Sequence, residues 1–390
     1  MRILHTADWH IGRTFHGHST MPALRQVLGS LPSLVRSEGI DVVIVAGDIF
    51  DSAAPSGEAF SLLQETLTAI REAGALVVLI SGNHDSPARL GFATPFARVA
   101  GVHIATDPQT IGTPITLHDE HGPIDFHCIP FLEPALIRHR WPGERLRNQA
   151  DAIGFAMRRI RETVDARRSS EGARSVVLAH TFVAGAESAS ADSERAIVRA
   201  GSVDAVPVSA FDGVDYVALG HIHGRARLAE NVRYPGAPLH YSFSEADKPR
   251  GGWLVDLGAG GVASAEWLHL PVPRPLVVLK GELEDLLRAP QLEQHREDWV
   301  SAVLTDSTRP TEAMRRLQTR FRWCAHVEHH PATIVTDGLR SYAERVQGRS
   351  DEQILEAFLR HVRNGEGPDD AEAELFEDLI SEHRGIAASR

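Results

Sequence analysis

Seven side chains with oxygen or nitrogen donors, each close behind an apolar run, are the residues of this chain best placed to do chemistry. They are Asp8, His10, Asp48, Asn83, His180, His221 and His223. The runs before them are Arg2–His5, Val42–Ala46, Leu76–Ile80, Val176–Ala179 and Tyr216–Leu219. Carboxylate, amide and imidazole donors together are of intermediate hardness and suit manganese or iron better than calcium. One natural division gives Asp8, His10, Asp48 and His223 to one ion and Asp48, Asn83, His180 and His221 to another. Asp48 is the candidate bridge, since two-metal sites need a group spanning ions roughly 3.5–4 Å apart. Such a set implies hydrolysis at phosphorus, by in-line attack of an activated water.

His84 follows a donor but is not needed to complete either sphere. It can instead contact the phosphate and protonate the leaving oxygen, work that suits a histidine. Asp51 and Asp85 stand one step back, as candidates to orient the imidazoles. The tetrapeptide Gly82-Asn83-His84-Asp85 is the most specific of the signals, and His180, alone after its run, the least.

The apolar runs read as strands, and open α/β sheets assemble their sites at the carboxyl ends of strands. Helices are predicted at Glu58–Glu72 and around Asn148–Arg168, with later strands at Val232–Tyr234 and Trp253–Asp256. This mixture of α and β suits two sheets packed face to face with helices outside, over residues 1–270. Pro271-Val272-Pro273-Arg274-Pro275 reads as a linker, because each proline stiffens itself and its predecessor. A small α/β domain over 275–335 should follow. Its predicted strands are Leu276–Leu279, Val300–Leu304 and Ala325–Glu328; its helices are Glu282–Leu287 and Pro310–Phe321.

The remainder, 340–390, reads as a helical hairpin. Ser350 and Gln353 form a capping-box pattern ahead of Ile354, Leu355, Phe358, Leu359 and Val362. Gly365-Glu366-Gly367-Pro368 breaks that helix, and Leu375, Phe376, Leu379 and Ile380 mark a second. Two short amphipathic helices cannot bury both stripes by themselves. They either fold onto this chain's own core or dock on a partner.

Net charge is −12, but the stretch Asp351–Arg390 holds 11 acidic and 4 basic residues, so more than half of the excess sits there. Composition therefore does not exclude nucleic acid, although much of the grip would come from a partner. Cys128 and Cys324 are the only cysteines, which argues against a disulfide framework or a Cys-based zinc site. No apolar stretch nears the roughly 20 residues that span a bilayer. The reading is a soluble, reduced, cytoplasmic protein without a membrane partner.

The wording around the motifs goes further. MRILHTADWHIGRTFHG, VIVAGDIFDSAAPS, LISGNHDSPARL, DGVDYVALGHIHG and RYPGAPLHYSFSEAD resemble the calcineurin-like metallophosphoesterase superfamily, and within it the SbcD-type nuclease subunits of bacteria. The resemblance implies the family's two-sheet β-sandwich flanked by helices, a capping domain at 275–335 and a partner-docking hairpin at 340–390. It implies a manganese-dependent DNA nuclease of repair and recombination, exonuclease 3′→5′ on duplex ends and endonuclease on single strands and hairpins. It also implies a homodimer, joined to an SbcC-type ATPase as two copies of each. All seven family metal positions are filled, and His84 matches the family's catalytic histidine. Asp51 stands where archaeal and eukaryotic relatives have histidine. Arg13 and Arg89 are candidates for DNA contacts as well as for ordinary solvated arginines. The competing readings are a stand-alone phosphodiesterase or phosphatase for small esters and a scaffold for a partner ATPase.

Overall fold

A computed structural model describes residues 1–194, 198–199, 202–203, 205–331, 348–363 and 366–388. The chain divides into two compact units, Met1–Arg274 and Pro275–Arg390.

The first unit is a sandwich of two six-stranded sheets. In one, the order is Gly261–His269, Gly251–Gly258, Arg2–Thr6, Val42–Ala46, Leu76–Ile80 and Val102–Ala105, and the last four run parallel. In the other, the order is Ala226–Arg227, Val232–Tyr234, Tyr216–Gly220, Arg174–His180, Gly122–Ile129 and Ile115–Asp119, with the middle four parallel. The strand Val42–Ala46 is buried at every position, as a parallel strand covered on both faces should be.

Successive residues serve opposite faces. Ile3, Val42, Ile44, Val78 and Ile80 meet Ile124, Phe126, Val176, Leu178 and Ala218 between the sheets. Val43 and Val45 instead pack beneath the helices Met21–Glu38 and Gly57–Glu72. On the far side, Val177, Ala179, Val217 and Leu219 lie beneath the helix Gln149–Glu171. Two of these helices have explicit starts: Ser56 accepts from the Ala59 N–H, and Asn148 from that of Asp151. Each cap satisfies an amide with no partner inside the helix. The expected two-sheet architecture with outer helices is what the chain forms. The sequence reading missed the helix Met21–Glu38 and the strands Val102–Ala105, Ile115–Asp119, Gly122–Ile129 and Gly261–His269.

The second unit holds a three-stranded parallel sheet, Leu276–Gly281, Trp299–Leu304 and Cys324–His329. Leu283 and Leu286 of the helix Leu283–Arg288 and Leu317 of Ala313–Arg320 close its core over Leu279, Val300 and Phe321. The helix Asp351–Val362 begins with the full Ser350–Gln353 capping box, and Asp370–Ala388 follows it. Arg363 and Glu372 tie the two helices at 2.6 Å. Phe358, Leu375 and Leu379 are about half exposed along them. The end of the expected 275–335 unit, the start of the expected 340–390 region and Gly365 lie outside the described residues.

Candidate metal centre

Parallel strands in each sheet bring Thr6, Ala46, Ile80, His180 and Gly220 out at one edge, and the donors are His180 itself and residues of the loops that follow the other four strands. The first two loops are zipped together. Asp8 N–H donates to Gly47 O at 3.0 Å, His10 N–H to Asp48 O at 3.0 Å, and Ile11 N–H to Ile49 O at 2.9 Å. This ladder holds Asp8, His10 and Asp48 at φ of 54°, 46° and 48°, and His221 stands at 107°. Positive φ is uncommon outside glycine and gathers where the surroundings over-determine a functional backbone. Two glycines allow the loops to close. A Cβ on Gly82 would sit 2.1 Å from Asp48 Oδ1, and one on Gly220 would sit 1.9 Å from Ala46 O.

The structure brings all seven predicted donors into one cluster, six of them buried and Asn83 half-buried. Asp48 is at its centre. Its Oδ2 lies 3.6 Å from His10 Nε2 and 3.5 Å from His180 Nε2, while Oδ1 accepts the His84 N–H at 2.9 Å. One oxygen, Oδ2, thus faces both halves. On one side His10 Nε2 and His223 Nε2 are 3.1 Å apart, with an Asp8 oxygen close by. On the other, Asn83 Oδ1 is 2.9 Å from His180 Nε2 and 3.2 Å from His221 Nδ1. Asp8 also accepts the His221 N–H at 3.0 Å, which links the two sheets.

His84 stands at the rim. Its Nδ1 is 2.9 Å from the carbonyl oxygen of Asp51, and its Nε2 is 4.0 Å from Asp48 Oδ2. With the carbonyl holding Nδ1–H, Nε2 is the ring atom that can take or give a proton. His84 is also near enough to His10 and Asp48 to complete a three-donor group with them.

Burial dominates the electrostatics. It pushes the imidazoles of His10, His221 and His223 down and keeps them neutral. Burial would raise Asp48, but the charge and the hydrogen bond of His180 outweigh it and hold that carboxyl well below its usual range. For His180 burial is likewise outweighed, by Asp48 and Asp8, and its imidazole rises to about 9. Asp8 is pushed up by burial and by Asp48 despite His180. The neutral imidazoles of His10, His221 and His223, with the carboxyl groups of Asp8 and Asp48 and the Asn83 amide oxygen, fit divalent cations, and a cation bound there would displace the proton that His180 holds. The donor set therefore suits divalent metal.

The supporting residues differ in part from expectation. Asp51 does stand behind an imidazole: its Oδ1 is 3.3 Å from His10 Nδ1. Asp85 does not. Its two oxygens accept the backbone N–H groups of Ile49 at 3.0 Å, Phe50 at 2.9 Å and Gly82 at 2.9 Å, so it pins two loops together. The reason is the turn at 82–85, which curls the carboxylate back onto bare amides. Burial and the Asp48 charge push Asp85 up to about 7. Arg13 pairs with Asp51 at 3.1 Å, donates to Ser193 O at 2.8 Å and covers the Tyr241 ring at 4.8 Å. That commits it to holding the site. Arg89 is exposed and donates to Ala53 O.

Sequence reasoning missed Ser193, Glu194, Glu245 and Arg250, all of which surround His223. Glu245 and Arg250 are 0% and 1% exposed and pair at 3.2 Å. An acid and a base five residues apart amid Leu239, Tyr241 and Phe243 were the available signal.

Against this geometry stand the likenesses to known proteins. The profile of the calcineurin-like phosphoesterases matches residues 1–225, and that of the type 5 capsule protein repressor C-terminal domain matches residues 272–363. The chain is 25% identical over 365 residues to the SbcD component of the SbcCD nuclease of Staphylococcus epidermidis, covering 93% of each. Solved structures match weakly. GAP50, the anchor in the inner membrane complex of Plasmodium, is 9% identical with a TM-score of 0.35, over 85% of this chain and 98% of that one. A cold-active protein-tyrosine phosphatase of Shewanella is 12% identical with a TM-score of 0.27, over 69% of this chain and 80% of the other. Neither bears on the argument. With a family profile over more than half its length and a buried donor cluster where that profile lies, the chain belongs to the calcineurin-like phosphoesterase family and is a metal-dependent phosphodiester hydrolase.

Proposed function

We propose that this chain is the nuclease component of an SbcCD-type complex, a DNA exonuclease and endonuclease of repair and recombination. The carrying observation is its likeness to the staphylococcal SbcD protein across 93% of both chains, together with the second profile match at 272–363. The donors would hold two cations, manganese by preference, for in-line attack of water on phosphorus. Asp8, His10, Asp48 and His223 would hold one, and Asp48, Asn83, His180 and His221 the other. Bound there, the cations supply Lewis-acid polarisation and an activated water. His84 contacts the phosphate and moves a proton at Nε2, its Nδ1 being occupied by the Asp51 carbonyl. Asp48 and the zipped loops keep the donors in place throughout.

The assembly we propose has two copies of this chain and two of an SbcC-type ATPase. Phe358, Leu375 and Leu379, exposed on the last two helices, support docking of that partner there. The homodimer is supported by Phe92, Phe96 and Val99, exposed beside an apolar groove of about 520 Å³ lined by Phe60, Leu63 and Leu67. Among the described residues no helix is long and apolar enough to cross a membrane.

The test is degradation of a hairpin-ended duplex with manganese, with and without the partner ATPase, beside bis-p-nitrophenyl phosphate. The expected result is DNA cleavage that requires manganese and is lost in His84→Ala. Rapid hydrolysis of the small ester, with DNA untouched even beside the partner, would instead establish a small-molecule phosphodiesterase.

A further inference from the structure

Ser193 belongs to no motif of the sequence, yet its hydroxyl stands between two buried groups. Its Oγ lies 2.8 Å from His223 Nδ1 and 2.5 Å from Glu245 Oε1. The other Glu245 oxygen pairs with Arg250 at 3.2 Å. A buried carboxylate held by a guanidinium is ionised and can only accept. Ser193 has one hydroxyl proton, so that proton goes to Glu245. What Ser193 turns toward His223 is a lone pair, and Nδ1 must then carry the ring hydrogen. The free lone pair of a neutral His223 is left on Nε2, the atom 3.1 Å from His10 Nε2.

The rest of His223 is held as firmly. Its backbone N–H donates to Glu194 Oε1 at 2.8 Å, and its carbonyl accepts from Arg250 Nη1 at 2.8 Å. Residues 193 and 194 thus serve ring and backbone of the same donor. Through Arg13, which bonds both Ser193 O and Asp51, the stretch also reaches the carboxylate behind His10.

We propose that Ser193 is a positioning residue of the metal centre: the relay Glu245–Ser193–His223 selects the His223 tautomer whose Nε2 can bind a divalent cation. This rests on the metal-centre reading above. Groups behind a ligating histidine fix its tautomer, and their loss typically costs about 10–100-fold in metal affinity.

The experiment titrates manganese into the metal-stripped, full-length protein by calorimetry, with circular dichroism to confirm folding. Ser193→Ala should weaken one binding step by about 10–100-fold, and Ser193→Thr, which keeps the hydroxyl, should restore it. Glu245→Gln should weaken the same step without truncating any side chain, because its amide can donate to Ser193 and reverse the relay. Manganese affinity unchanged in Ser193→Ala or in Glu245→Gln would overturn the relay, as would a Thr variant as weak as Ala. Failure of the underlying reading looks different: the unsubstituted protein would bind no manganese, or His223→Ala would bind it as well as the unsubstituted protein does.

Discussion

His10 and His223 face one another through their Nε2 atoms at 3.1 Å, each with a carboxylate stationed behind it, Asp51 for the first and Glu245 for the second. Two neutral rings polarised in this way direct lone pairs at each other, an arrangement that a cation between them relieves. Divalent metal should therefore stabilise the fold as well as enable reaction. At free manganese of about 100 times its Kd, linkage adds about 2.7 kcal/mol. Thermal unfolding with EDTA and with manganese should show a Tm several degrees higher in the second case, and no such rise in His10→Ala.

Acid should weaken the fold through two buried histidines. His5 lies between the sheets, with Nδ1 2.9 Å from Tyr216 Oη and Nε2 3.0 Å from Leu219 O, and burial pushes it down to about 3. His127 is buried with neither ring nitrogen hydrogen-bonded among the described residues, and burial takes it to about 4. Both folded values are below the unfolded one near 6.5, so as pH falls the unfolded chain takes up these protons first. The stability these groups contribute is complete above about pH 6.5 and is lost between there and their folded values, by up to about 1.4 kcal/mol per pH unit for each. Urea midpoints between pH 7.5 and 5 should fall, and His127→Leu should flatten the slope. An unchanged slope in that variant would remove His127 from the account.

Asp85→Asn tests the loop clasp. The aspartate offers two oxygens to three backbone amides; asparagine offers one and turns an NH2 toward the rest. A buried amide left unpaired costs about 1–3 kcal/mol, so Tm should drop by several degrees. Because Asn83 and Asp48 lie in the clasped loops, manganese content measured on the purified variant should fall as well. A variant with the Tm and metal content of the parent would deny Asp85 this role.

The proposed homodimer makes Phe96 informative. At 82% exposure it contributes little to the fold of a single chain, so Phe96→Glu should keep the parent's circular dichroism spectrum, and any drop in Tm should be what loss of the partner subunit causes. Light scattering should show the parent at twice the chain mass and the variant at the chain mass. Equal masses would move the interface elsewhere.

How far the fold and site could be read from sequence depended on whether the information was local. Strands such as Val42–Ala46 are continuous apolar runs and announce themselves. Ile115–Asp119 and Gly261–His269 are only half covered, so their composition is mixed and the pattern is weak. The helix Met21–Glu38 was obscured by Pro22 and by Pro32 within it. The seven donors were legible because each sits at the last residue of its strand or within four residues beyond it. Ser193 and Glu245 were not, because they act on His223 and on each other across separations of 30 and 52 residues that only the packed sheets bring together. Arg13 had the charge for a phosphate contact, and nothing nearby in sequence revealed that Asp51 and Ser193 had already engaged it.

The left-handed backbone at Asp8, His10, Asp48 and His221 has a consequence for anyone wishing to engineer this protein. Each such position costs of order 1–3 kcal/mol, and glycine would relax it. A search for thermostable variants that ignores activity should therefore be drawn to these four positions, and every success there would delete a donor. Robustness and catalysis draw on the same handful of residues, so directed evolution of a hardier enzyme must find its gains in the outer helices and sheet edges instead.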